Sequence, residues 1–175
     1  MTVHDEPIGR FFEDFEIGDV YRHPLGRTVT EADNVWFTLL TMNTNPIHFN
    51  REYAAQTEFG KPLVNSAFTL AVVVGLSVID TSQQAFANLG WEEVTLDHPV
   101  FVGDTLYAES KVLGKRESVS RPHGGIVTIR TRGLNQDGTQ VIGWRRTFFV
   151  YKRGAHAAMS SFPEPENPWI AGAES

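Results

Sequence analysis

Residues 62–80 constrain the fold of this 175-residue chain more than any other stretch. From Pro62 and Leu63 through Asn65-Ser66 to Val78 and Ile79, the run is apolar and lacks the alternation of a half-buried strand. That pattern predicts a wholly buried helix over roughly 66–79, with Asn65 or Ser66 as its cap. Val72, Val73 and Val74 have modest helix propensity, so packing rather than local preference must hold the segment helical. A helix of this kind needs other elements to wrap it, and the rest of the chain supplies them.

From Trp91 onward the pattern becomes that of strands, near 91–97, 104–116, 124–134 and 139–152. Val127 and Ile129 alternate with Arg130 and Arg132, and Asn135-Gln136-Asp137-Gly138 closes a hairpin. Gly124-Gly125 reads as another hairpin feature, since no helix follows it to make a phosphate loop. Gly18-Asp19 turns into an earlier strand near 20–29. Thr30 and Asp33 then open a helix over 31–42, whose inward face is predicted from Ala32, Val35, Trp36, Leu39 and Leu40. Extending that face reaches Asn43, whose side chain should point inward. A short helix is expected at 51–57. The fold class is α+β: an antiparallel sheet curled around one central buried helix. Residues 1–154 make a single domain, followed by a weakly ordered tail at 155–175 rich in Ala, Ser, Pro and Glu.

Composition excludes several kinds of chemistry. With no cysteine there is no disulfide framework, cysteine-ligated zinc or thiol nucleophile, which suits a reducing cytoplasm. A net charge of −6 argues against general nucleic-acid binding. Residues 1–10 lack the apolar run of a signal peptide, and the 62–80 stretch is too short for a bilayer, so no membrane association is expected. Charge is nevertheless uneven. Residues 111–153 hold ten of the fifteen Lys and Arg but only two acids, Glu117 and Asp137. This is either a solvated sheet face or a patch for a phosphate-bearing ligand.

The chemistry concentrates in Asn43-Thr44-Asn45-Pro46-Ile47-His48, where Pro46 ends the preceding helix. A polar cluster beside the start of a buried helix suits carbonyl chemistry, because unpaired N–H groups and the helix dipole favour developing negative charge. His48 is the titratable group of the cluster suited to proton transfer near neutrality. Asn43 can hold water but cannot take its proton, while Asn45 either orients His48 and its loop or simply forms a turn. His98 and His123 read as structural, and no spacing suggests a metal site. Ser66 lacks the context of a nucleophile.

Four stretches in order resemble the MaoC-like, (R)-specific enoyl-CoA hydratase family: Thr30-Glu31-Ala32-Asp33, the 43–48 segment, Lys61-Pro62-Leu63-Val64-Asn65-Ser66, and Pro99-Val100-Phe101-Val102-Gly103-Asp104-Thr105-Leu106. The resemblance spans about residues 11–152 and implies a hotdog fold, dimeric or higher, acting on acyl thioesters of coenzyme A. Leu63-Val64-Asn65-Ser66-Ala67-Phe68-Thr69-Leu70 and Lys115-Arg116-Glu117-Ser118 also resemble the branch handling branched C5 dicarboxyl substrates such as mesaconyl-CoA. The family pattern Asp-x-Asn-Pro-x-His matches at Asn45 and His48, but Asn43 takes the place of the catalytic Asp. Asn65-Ser66 stands where the family has His-Gly, whose Gly N–H binds the thioester oxygen. Ser66 still offers that N–H.

The resulting expectation is a homodimeric acyl-CoA hydratase or dehydratase with His48, Asn43, Asn45 and the Ser66 N–H as catalytic groups. Asn65 is expected to bind substrate, and coenzyme A enters as part of the substrate, with no separate cofactor. The alternatives are a hotdog thioesterase, for which Glu52 and Glu58 are the nearest carboxylates in sequence, and a non-catalytic acyl-CoA binding or partner subunit.

Overall fold

The computed structural model describes residues 4, 7–155, 163, 165–167 and 169, so the tail expected at 155–175 lies largely outside the described residues. Five strands form one antiparallel sheet: β1 (Val20–Thr28), β2 (Ala85–Leu96), β3 (Thr105–Glu117), β4 (Gly124–Leu134) and β5 (Gln140–Tyr151), in the order β1-β3-β4-β5-β2. Between β1 and β2 come α1 (Glu31–Leu40), α2 (Arg51–Ala55) and the long α3 (Ser66–Thr81), around which the sheet curls. This is the expected hotdog arrangement.

A stripe of four residues spaced by four, Thr69, Val73, Ser77 and Thr81, is the buried face of α3. The polar members fit because their hydroxyls return to the helix: Ser77 Oγ donates to Val74 O and Thr81 Oγ1 to Ser77 O, each at 2.7 Å. Val73 joins Val29, Leu106, Ile142 and Trp144 in the main apolar cluster. The helix can come this close because Gly133 has no side chain, where a Cβ would meet Val73 Cγ2 at 2.7 Å. Burial of α3 on all sides is not what the chain achieves, however. Ala67, Ala71, Gly75 and Ile79 lie exposed on its other face.

Along the inward face of the sheet, the main cluster is separated from a second one, with Phe15, Val112, Ile129 and Phe148, by a polar chain whose outer end, Asp80, is partly exposed. His23 Nδ1 lies 2.9 Å from Asp80 Oδ2, His23 Nε2 lies 2.9 Å from Ser110 Oγ, and Ser110 Oγ lies 2.8 Å from Thr131 Oγ1. The connectivity is that of an acyl-transfer triad, but Ser110 is buried against the inside of the sheet and meets no solvent. The chain is therefore a satisfied core network.

Helix α1 reverses the face predicted for it. Asn34 and Thr38 point inward, whereas Trp36 is 68% exposed, Leu39 54% and Leu40 75%. The inward side meets loop backbone rather than apolar core, and carbonyl and N–H groups there need polar partners. The helix also ends two residues earlier than expected, and Met42 adopts φ 57° in the left-handed region. Asn43 consequently does not continue the helical face. Its N–H instead reaches back to Thr38 O at 3.0 Å.

Strand β2 starts at Ala85, six residues before the first strand-like residue in the sequence pattern. As an edge strand it exposes Phe86, Leu89, Trp91, Val94 and Leu96. Gly124 and Gly125 are the first residues of β4 rather than part of the turn, and a Cβ on Gly125 would lie 2.2 Å from the Phe12 ring.

Candidate active site

The 43–48 segment is held by two successive Asx turns and one 3-10 turn. Asn43 Oδ1 accepts from Asn45 N–H at 3.0 Å, and Asn45 Oδ1 accepts from Ile47 N–H at 3.2 Å. The turn Pro46–His48 follows, with Pro46 at its first position. Asn45 is exposed and shapes the loop backbone, with no hydrogen bond to the imidazole. Asn43 is half-buried, and its Nδ2 donors remain available to a water.

His48 is buried, and its Nδ1 lies 2.8 Å from Leu63 O. A carbonyl oxygen can only accept, so Nδ1 carries the hydrogen and the neutral ring presents Nε2 as a base. Leu63 N–H in turn donates to Ile47 O at 3.1 Å. The histidine loop and the entry to α3 are thereby stitched together.

At that entry Asn65 is the N-cap of α3. Its Oδ1 accepts from Ala67 N–H at 3.0 Å and its Nδ2 donates to Thr38 Oγ1 at 3.2 Å. Both polar atoms of this side chain already have protein partners, so its observed work is to fix the helix start. Ser66 is the first residue of the helix, and its N–H makes no hydrogen bond among the described residues. It is left free at the positive end of a 16-residue helix.

Beside Ser66 opens a cavity of about 220 Å³, lined by Leu63, Val64, Thr69, Val100 and Val141. Asp97 and His98 stand at the same cavity. His98 Nδ1 donates to Gln140 O, and Asp97 Oδ2 accepts from Gln140 Nε2, both at 2.8 Å. Glu52 and Glu58, the carboxylates nearest in sequence, are both exposed. Among the described residues no group of three or more His, Cys, Asp or Glu is placed to hold a metal.

The cationic 111–153 region is largely neutralised by acids from elsewhere in the chain. Arg130 pairs with Glu93, Arg132 with Glu109, Arg145 with Glu92, Lys115 with Glu16 and Arg153 with Asp14. Arg146 is buried, its guanidinium donating to Asn88 Oδ1, and burial pushes its pKa below the usual range. Lys111, Arg116 and Arg121 have no acid partner among the described residues, Arg121 lying over the Phe86 ring. The acids come from several places: Glu92 faces Arg145 across the β2–β5 pair, Glu109 faces Arg132 across β3–β4, and Glu16 and Asp14 precede β1.

Residues 13–132 match the family described as MaoC like domain. The chain belongs to that family. A mesaconyl-CoA hydratase of Cereibacter sphaeroides is 37% identical to this MaoC-like chain over 164 residues, 94% of the chain and 47% of the relative. An (R)-specific enoyl-CoA hydratase of Rhodospirillum rubrum is 31% identical over 153 residues, 86% of the chain and 98% of the relative. A MaoC domain protein of Chloroflexus aurantiacus superposes with a TM-score of 0.81 at 30% identity, covering 95% of the chain and 47% of that structure. The MaoC-like chain thus spans about half the length of some relatives and nearly all of another.

Sequence reasoning singled out His48 and Ser66 but passed over Asn34 and Thr38, whose hydrogen bonds join the histidine loop and α1 to the start of α3. Their spacing of four residues on one helix was the available signal. It went unread because an apolar stripe on the same helix competed for the inward face.

Proposed function

We propose that this MaoC-like domain adds water reversibly to the double bond of a 2-enoyl-CoA thioester. The observation that carries this reading is the His48 Nδ1–H bond to Leu63 O, which makes Nε2 the basic atom of the neutral ring in a loop tied to the start of α3. Nε2 takes a proton from water as its oxygen bonds to the β-carbon, the thioester oxygen gathers charge against the Ser66 N–H, and the imidazolium returns a proton to the α-carbon. Asn43 holds the water through its amide donors. Coenzyme A is part of the substrate, and the reaction needs no separate cofactor. Lys111 and Arg116 are cations available to its phosphates.

The names of the relatives support a short, branched dicarboxylic acyl group such as mesaconyl as the substrate, and the small apolar cavity beside Ser66 is of suitable size. Incubating the protein with mesaconyl-CoA in heavy-oxygen water tests this. A hydroxyacyl-CoA carrying one heavy oxygen is expected, and labelled free acid with released coenzyme A would mark a thioesterase instead.

The working unit in this reading is a homodimer in the cytoplasm. The edge strand β2 with its exposed Phe86, Leu89 and Trp91, and the α1 face with Trp36 and Leu40, leave apolar surface that a second hotdog would cover. Sedimentation at micromolar concentration should give twice 19.6 kDa, and a species of 19.6 kDa alone would contradict the dimer.

A further inference from the structure

Asn34 commits both of its amide donors and its carbonyl oxygen to the two segments that make the site, although it belongs to neither. It is fully buried on the inward face of α1. Its Nδ2 donates to His48 O at 2.8 Å and to Leu63 O at 3.1 Å, and its Oδ1 accepts from Asn65 N–H at 2.8 Å. Leu63 O is therefore a shared acceptor, taking one hydrogen from Asn34 and another from His48 Nδ1.

We infer that Asn34 is a positioning residue that sets the tautomer and aim of His48 relative to the Ser66 N–H. The carbonyl that selects the Nδ1–H form is held by Asn34, and so are the backbone of His48 and the N-cap of α3. Among the side chains, only a carboxamide offers two donors and an acceptor in this compact shape. Aspartate has the same shape but would set oxygen against two carbonyl oxygens. An apolar residue would leave those carbonyls and the Asn65 N–H without partners inside the protein. If Asn34 merely packed α1, the apolar residues abundant on that helix would serve there equally well. The bridge also accounts for the reversed face of α1, since the inward side carries the residue that joins two loops.

The rate consequence rests on the hydratase reading, while the tautomer consequence does not, so the test reads both. In 15N-histidine NMR of the full chain, wild-type His48 should be the Nδ1–H tautomer, and Asn34→Ala and Asn34→Asp should shift it to a mixture. On an enoyl-CoA both variants should lose about 10–100-fold in kcat with KM nearly unchanged, as expected for a misaimed base. Variants that keep the wild-type tautomer and kcat and only melt earlier would overturn the inference. If neither variant folds, hydrogen exchange in the wild type decides. The two Asn34 amide protons and His48 Nδ1–H should be protected together with one opening rate, whereas fast exchange at Asn34 beside a protected His48 would overturn it. A chain inactive on enoyl-CoA whose His48 tautomer still follows residue 34 would contradict the function and support this inference.

Discussion

Replacing His48 with alanine is expected to lower the rate of enoyl-thioester hydration by at least ~100-fold, the scale on which a general base acts. The geometry makes the dependence this strong. Nδ1 is committed to Leu63 O, so Nε2 is the one basic atom the ring can present. Among the described residues the other carboxylates considered do not replace it: Glu52 and Glu58 are exposed, and Asp97, at the cavity beside Ser66, already accepts from Gln140 Nε2. Because His48 takes a proton from water and returns it to the α-carbon, the ring is unprotonated at both ends of the cycle. The neutral imidazole therefore starts both directions, and hydration and dehydration should rise together with pH. Asn43→Ala should cost less than His48→Ala, since it removes water positioning without removing a proton carrier. Asn43→Asp preserves the turn, because a carboxylate oxygen can also accept from Asn45 N–H. It would put a second acceptor beside the water and is expected to change the pH profile of kcat, measurable across the same series of buffers.

Trp144→Ala should destabilise the fold by about 3–5 kcal/mol, the range for truncating a large buried aromatic residue. Trp144 is fully buried on β5 and belongs to the cluster with Val73 of α3 and with Val64, which leads into the helix. Removing it undercuts the helix start as well as the sheet. Trp144→Phe should cost far less than its change in volume suggests, because the indole N–H has no hydrogen-bond partner among the described residues. A buried donor left unpaired is itself unfavourable by about 1–3 kcal/mol, and phenylalanine relieves this while keeping most of the ring. Urea denaturation would show this as a large fall in midpoint for alanine and a small one for phenylalanine, with the slope unchanged. Equal falls for the two variants would contradict this assignment of the indole.

What could be read in the sequence follows from how local each signal is. α3 and β4 were legible because long apolar or alternating runs depend little on partners, and the observed 66–81 and 124–134 differ from expectation only at one end of α3. The start of β2 was hidden because Ala85, Ala87, Asn88 and Gly90 have little strand preference, and only pairing with β5 extends them. α1 misled because its apolar stripe is real but faces outward, while loop backbone claims the polar side. His48 was legible from one compact segment. The His23 network was not, since Asp80 lies 57 residues from His23 and Ser110 lies 87 residues away. Asn34 belongs to the same class. Its meaning depends on two loops that only the folded chain brings together.

The central claim, that His48 hydrates an enoyl thioester, is tested most directly by following the absorbance of mesaconyl-CoA with purified protein while free thiol is assayed in parallel. The account predicts loss of the conjugated-thioester absorbance to an equilibrium with no thiol released, and loss of that activity by at least ~100-fold in His48→Ala. Wild-type turnover in His48→Ala, or thiol release matching the absorbance change, would contradict it.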